Sequence, residues 1–474
     1  MSVLKKFLKD TIIYGLATVI PRLMNIILVN LHTDTLETTS YSENTTFYVY
    51  AAFFNVLLTY GMETAFFRFF SKSEEKDKIF STALISLLVT STLFFAIVFS
   101  FNTQLASIVA LDQTFFNLLI GVLVLDTLVA IPFAYLRATG RPLKFTAIKI
   151  INIGLVVFLN YFFLWAIPKF GIEFPYFEET NLVTYIFIAN FIASLVTFLL
   201  LVPYFFKTKL QFSKRILKQL LNYSWPVMIA GLAYVINENF DKFWIPKELG
   251  KSINGAYAGC YKLGVFMTIF ILAFRLGAEP FFFNHAKEKN ATTTYAFIMK
   301  YFVILGCAML VFIIAYLDIL KFLLVDNPEY WVAIEIVPII LLANLCLGIY
   351  FNLAIWYKLT DKTKYGMYIS IFGAVITIVL NVFLVSKFGF IASAWITLLT
   401  YVSMMVVSYF LGQKHYPVPY DLKRILGYLI ISIVLSVIAL QSNQNYYINT
   451  LLVLVFLGLV VLLEKKELKQ LLRK

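Results

Sequence analysis

The sequence predicts an all-α integral membrane protein of about fourteen transmembrane helices, arranged as two six-helix lobes in like orientation plus two C-terminal helices. Three observations carry this. Hydrophobic residues make up 61% of the 474 and charged residues only 14%, whereas a soluble domain carries roughly a quarter charged residues. The apolar residues fall in stretches of about 20, the length that crosses roughly 30 Å of hydrocarbon as helix. Finally, short motifs of the first half return in order in the second.

Span 1 (11–31) follows the basic "LKKFLK" and lacks a small-residue cleavage site, so it reads as an uncleaved first span. It carries Thr18, Arg22 and Asn25 as one polar stripe, and Pro21 removes a backbone hydrogen bond beside Arg22. Span 2 (46–67) places Asn55, Thr59 and Glu63 on one face. Span 3 (80–101) is apolar, span 4 (114–135) holds Asp126 near its middle, and spans 5 and 6 follow at 146–167 and 182–206. A basic linker, "KTKLQFSKRILK", leads to span 7 (222–244), where Asn237, Glu238 and Asp241 cluster towards one end. Span 8 (253–275) opens with "GAYAGCYKLG", contains Lys262 and closes on Arg275. Spans 9 to 12 lie at 295–317, 332–356, 365–386 and 390–411. Spans 13 (424–440) and 14 (446–463) flank the polar "QSNQN".

The echo sets the domain division. Gly61-Met62-Glu63 aligns with Gly277-Ala278-Glu279, and Phe66-Phe67 with Phe282-Phe283, at an offset of 216 residues. "RATGRPLKF" (137–145) aligns with "KLTDKTKY" (358–365), matching Thr139 to Thr360 at an offset of 221. Lys169-Phe170-Gly171 aligns with Lys387-Phe388-Gly389 at 218. Three matches in order at nearly constant offset indicate duplication, and parallel repeats are a recurring plan for secondary transporters. The expected lobes are 1–210 and 211–413, with 414–474 holding the two accessory helices and a basic tail.

The net charge of +13 reads as a topology signal rather than a nucleic-acid one. Most of the 39 Lys and Arg fall in the termini and the loops after the even-numbered spans. Only Lys169, Lys242, Lys247, Lys251, Lys321 and Lys387 fall on the other side, and Arg22, Lys262 and Arg275 sit in or at the ends of spans. Positive loops stay cytoplasmic, which puts both termini inside. Cys260, Cys307 and Cys346 lie within spans with no paired spacing and read as packing residues. "LGKS" at 249–252 lacks the first glycine of a phosphate loop, and His32, His285 and His415 have no ligand spacing. With no long external loop, the sequence points away from an enzyme, a metal site or a cofactor.

The endings "NYFFLWAIPKFGI" and "NVFLVSKFGFIASAWITLL", the tyrosine-rich opening of span 8 and the basic loop after span 4 resemble the oligosaccharide-flippase branch of the multidrug/oligosaccharidyl-lipid/polysaccharide exporter superfamily, over about 10–412. In the first half "EFPYFEET" stands where the pattern has small residues. The resemblance implies a transporter that flips a polyprenyl-pyrophosphate-linked oligosaccharide, such as an O-antigen or capsule repeat unit, from the cytoplasmic to the outer leaflet by alternating access. It further implies a bacterial inner (plasma) membrane location, no cofactor, coupling to an H⁺ or Na⁺ gradient or the membrane potential, and contact with other polysaccharide-assembly proteins.

Ionisable groups in hydrocarbon cost at least about 2.5–3.5 kcal/mol, so they face a wet cavity or a partner. For an anionic pyrophosphate, Arg22, Asn25, Thr18, Arg275 and Lys262 are the candidate contacts, because guanidinium forks fit phosphate oxygens. Arg22 from one lobe and Arg275 from the other would then line one basic cavity. Asp126, Glu63 and Glu238 are the candidates for ion coupling. Structural readings stand beside these: Arg275 snorkelling next to Glu279, Lys262 paired with Glu238, Arg22 paired with Asp126, and Glu63 with Arg68 at an interface. Three other functions remain open: a cation-coupled multidrug exporter, a polytopic glycan-assembly enzyme, and a lipid-binding scaffold.

Overall fold

The computed structural model describes residues 20–471 apart from 110, 176, 208, 287, 289, 361, 443 and 444. Thr18 lies outside the described residues. No strand occurs among the described residues. The chain packs as two compact units, Met1–Ala258 and Gly259–Lys474.

The first unit contains α1 (20–35), α2 (Thr38–Thr59), α3 (Met62–Lys72), α4 (Lys76–Ser100), α5 (Asn102–Ile108), α6 (Gln113–Ala138), α7 (Pro142–Tyr161), α8 (Ile167–Phe170), α9 (Leu182–Phe205), α10 (Lys214–Glu248) and the opening turns of α11 (Lys251–Tyr261). The second contains the end of α11, a 3₁₀ turn (Lys262–Gly264), then α12 (Val265–His285), α13 (Ala291–Ala315), α14 (Leu317–Leu324), α15 (Val337–Leu353), α16 (Ile355–Leu359), α17 (Lys364–Phe388), α18 (Phe390–His415), α19 (Leu422–Gln441) and α20 (Tyr446–Leu471).

Eleven helical segments among the described residues are long and apolar enough to cross a bilayer. The expected spans 1, 2 and 7 are outside that number: only 20–35 of span 1 is described, while α2 and α10 are helices rich in Asn, Thr and charge.

Span 2 is not one helix. Tyr60 and Gly61 take left-handed conformations at φ 34° and 69°, ending α2 before α3 begins. A Cβ on Gly61 would lie 2.7 Å from the Ser224 carbonyl oxygen, so glycine permits both the turn and the close approach of α10. Glu63 therefore starts a new helix and does not continue the Asn55–Thr59 stripe. Gly277, its echo, sits inside α12 with open space around it.

The boundary between the compact units lies one span beyond the 210/211 boundary expected from the repeat. Helix α10 packs on α2, α3 and α4 of the first unit, and the linker before it is fastened to the same place. Ser81 donates to the Lys209 carbonyl at 3.0 Å, the Ser213 amide donates to Thr82 at 3.2 Å, and Arg215 pairs with Glu75 at 2.6 Å.

The duplication is visible in local geometry. Thr139 and Thr360 end their helices with φ/ψ of −95°/10° and −96°/9°. Each hydroxyl donates 2.8 Å back to the carbonyl four residues earlier, Tyr135 and Trp356. Asn160 and Asn381 are both buried and both donate back one turn, to Val156 at 2.7 Å and Thr377 at 2.8 Å. After Asn160 the first unit accommodates extra residues in a π-turn, Phe162–Ala166, before Gly171 ends the segment at φ 58°. In the second unit α17 runs directly to Gly389 at φ 72°.

The accessory helices belong to the second unit. Both α19 and α20 pack on α13. Asn449 donates to the Ala315 carbonyl at 2.8 Å near one end of α20, and Glu464 meets Lys300 at 2.8 Å near the other.

Candidate functional site

Each unit holds a carboxylate–cation pair at repeat-equivalent positions. In the first unit Glu63 opens α3, and Arg137 lies in the last turn of α6, both placed where a helix dipole favours their charge. Arg137 Nη1 is 2.7 Å from Glu63 Oε1, and its guanidinium lies 5.6 Å from the Phe67 ring centroid. In the second unit Lys358 closes α16 and reaches Glu279 Oε1 at 2.8 Å. The alignment that joins Glu63 to Glu279 and Thr139 to Thr360 also joins Arg137 to Lys358. Duplication therefore preserved the ion pair and not merely the spacing.

A second cation completes each group, but it comes from a different place. In the second unit it is Arg275, one helical turn before Glu279, at 3.2 Å from the same oxygen. Its guanidinium stacks 4.2 Å from the Phe351 ring centroid. The hydroxyls of Tyr350 and Tyr357, 3.4 Å apart, lie within the electrostatic reach of Arg275. In the first unit the second cation is Lys149 on α7, which interacts with Glu63, Arg137 and Asp126 and lies 4.4 Å from the Phe133 ring centroid. Asp126 accepts a 2.8 Å hydrogen bond from Ser194 on α9. The alternative reading of Arg22 as a partner of Asp126 finds no such pair among the described residues: Asp126 is held by Ser194, and Arg22 and Asn25 are exposed on α1.

Lys149 and Lys300 are not loop residues. Both stand inside helices: Lys300 pairs with Glu464 at 2.8 Å, and Lys149 lies within the electrostatic reach of Asp126 and Glu63. The expected span edges fall at 146 and 295, so both positions were already inside their spans. A carboxylate at matching depth was the signal to look for.

The family-model comparison decides the kinship. The model described as "Polysaccharide biosynthesis protein" matches residues 7–278, more than half of the chain. The chain belongs to the polysaccharide biosynthesis protein family. A second model, MatE, matches 226–383. No curated relative matches the chain in sequence. Among solved structures, "Lipid II flippase MurJ, inward closed conformation" superposes with a TM-score of 0.75 at 15% identity, covering 96% of this chain and 100% of that one. An inward-facing multidrug-resistance MATE transporter of the MOP superfamily gives 0.67 at 13% identity, covering 88% and 98%. A MOP superfamily transporter from Pyrococcus furiosus, titled for the reverse polarity of its binding pocket, gives 0.59 at 14%, covering 86% and 95%. The fold is that of the MOP superfamily, and these neighbours are transporters and a flippase rather than enzymes.

Within this polysaccharide biosynthesis family member, Lys262 is exposed in the 3₁₀ turn that interrupts span 8, while Glu238 is half-buried on α10. Beside Glu238 lies a buried cluster that the sequence only hinted at. Buried Lys242 donates to the Glu238 carbonyl at 2.9 Å and pairs with Asp241 at 3.1 Å, and Tyr257 donates to Asp241 at 2.7 Å. Its buried charges are paired with one another, which suits a structural role.

Proposed function

We propose that this family member moves a polyprenyl-pyrophosphate-linked oligosaccharide from the cytoplasmic to the outer leaflet of a bacterial inner membrane by alternating access. Both termini are then cytoplasmic, as the basic loops require. The observation that carries the reading is the Arg275–Glu279–Lys358 group. Two cations share one carboxylate, the side chains of Arg275 and Glu279 are about one-third exposed, and the three carry one net positive charge. A pyrophosphate offers more oxygens and more charge than a single carboxylate, so it competes with Glu279 for both cations. Arg275 supplies a planar fork and Lys358 a point charge. When the head group leaves, Glu279 takes both cations back, so the empty site keeps one net positive charge rather than two. Arg22 and Asn25, exposed on α1, are proposed as further contacts to the anionic head group.

In the first unit Asp126 adds a second carboxylate to Glu63, Arg137 and Lys149, making that group neutral. This is where we place uptake of a coupling H⁺ or Na⁺, at Asp126 between Ser194 and Lys149. The same feature favours the second reading, a cation-coupled multidrug exporter, since an acidic group within the helices also suits an organic cation.

The test is surface glycan in a strain whose own lipid-linked oligosaccharide flippase is deleted. Wild-type chain should restore it, and Arg275→Ala should not, at equal protein level in the membrane. Resistance to organic cations without any restored glycan would replace this reading with the exporter.

A further inference from the structure

The first turns of α2 and α11 meet each other, and nothing in the charged groups above accounts for that contact. Thr38 and Ser252 share a 2.8 Å hydroxyl hydrogen bond. Asn254 donates to Ser42 at 2.7 Å, with both side chains fully buried. Lys251 pairs with Glu43 at 2.7 Å across the rim. Beneath them the backbones touch: a Cβ on Gly255 would fall 1.7 Å from the Thr38 carbonyl oxygen. No side chain larger than hydrogen fits there without separating the two turns.

These two turns are duplicates of one another. Shifting Thr38 by the 216-residue offset of the Gly61/Gly277 echo lands on Asn254, inside the facing turn. An element that packs on its own duplicate sits at the local two-fold of the repeat, as a self-complementary patch does in a symmetric dimer. In transporters built from repeats, gating separates one repeat from the other around such an axis. The chemistry suits a contact that breaks and re-forms. Its side-chain contacts include two neutral hydrogen bonds and one exposed ion pair, all between groups that water can satisfy once apart. Such bonds contribute little net free energy because water replaces them.

We propose that the facing first turns of α2 and α11 are a latch that closes the outward end of the transport path and parts once in each cycle. The proposal rests on the orientation given under Proposed function, which puts residues 36–43 and 249–255 on the outer side.

Two measurements test it, in a chain whose Cys260, Cys307 and Cys346 are changed to Ala. The first uses Thr38→Cys with Ser252→Cys, whose native oxygens already sit 2.8 Å apart. Oxidation should cross-link the pair and drop glycan export to the level of the flippase-deleted strain, with recovery on reduction. Neither single cysteine should do so. Export by the cross-linked protein equal to that of the reduced protein overturns the latch, as does failure of the pair to cross-link in membranes. The second measurement is independent of cargo. Ser42→Cys should react slowly with an impermeant maleimide added outside, and faster when Gly255→Ala wedges the turns apart or the gentler Lys251→Gln removes the rim pair. An unchanged rate in both backgrounds, or reaction from the cytoplasmic side alone, overturns it. If the reduced chain never restores glycan, the transport reading fails, while the labelling rates still decide the latch.

Discussion

Two ion clusters of similar size sit in the second unit and differ in what surrounds them. Around Arg275, Glu279 and Lys358 the side chains are 36%, 33% and 27% exposed. Around Lys300 the centre of the group is shut, while Arg424 and Glu467 at its rim are 44% and 35% exposed. Lys300 meets Glu464 at 2.8 Å and Glu467 at 2.6 Å, Arg424 reaches Glu464 at 2.9 Å, and Tyr428 donates to Glu464 at 2.9 Å. The Lys300 side chain is 6% exposed and that of Glu464 not at all. Charge alone does not mark a binding site in a membrane helix. A carboxylate with every lone pair engaged by protein has nothing left for a ligand, whereas one lying open beside two cations can be displaced by one.

The comparison predicts opposite consequences for the two clusters. The largest loss of stability is expected for Glu464→Ala, about 3 kcal/mol, because it removes the buried carboxylate that Lys300, Arg424 and Tyr428 share and leaves only the partly exposed Glu467 for buried Lys300. Thermal unfolding in detergent measures it. Arg275→Ala should leave that midpoint within about 1 kcal/mol of wild type yet abolish glycan export. A midpoint that falls as far as for Glu464→Ala would erase the distinction between the clusters. Arg275→Lys should restore part of the export, because the ammonium keeps the charge and loses the fork.

Next comes Arg137→Ala, whose effect on export should be smaller than that of Arg275→Ala, since the charge of Lys149 still acts on Glu63. Equal losses would assign the head group to both units alike. The smallest effect should follow Glu75→Gln on the surface. Lys78, and then Arg215, hold the Glu75 carboxyl below the usual carboxylate range. A depressed value means any stabilisation exists near neutrality and fades as acid protonates the group. In a fully exposed pair the expected outcome is no measurable change in midpoint at either pH.

Much of this was legible in the sequence because membranes make polar residues conspicuous. Glu63 and Glu279 stood out as an echo and proved to be the shared acceptors. Arg275 stood out as a cation closing an apolar run. The partners were harder to read. Arg137 and Lys358 look like ordinary members of basic cytoplasmic loops, and only folding brings each onto a glutamate of another helix. Lys149 and Lys300 were hidden by the loop-charge count itself, which assigns any lysine near a span edge to the loop. Glu464 fell one residue past the expected end of span 14, where α20 in fact continues to Leu471. The break at Tyr60–Gly61 was hidden because "TYGMET" reads as continuous apolar helix unless the approach of Ser224 is known.

The docking of α10 has a consequence for how the protein is made. A nascent chain enters the membrane from its N-terminus, and compact units fold as wholes once complete. The first unit lacks its last wall until α10 and the opening turns of α11 have been synthesised. A ribosome that has finished only residue 210 has therefore delivered six spans of one repeat, but α2, α3 and α4 still wait for the helix that covers them. For co-expressed fragments, a cut in the turn at Leu249–Gly250 separates fewer packed helices than a cut in the basic linker, even though the linker is where the sequence repeat puts the junction.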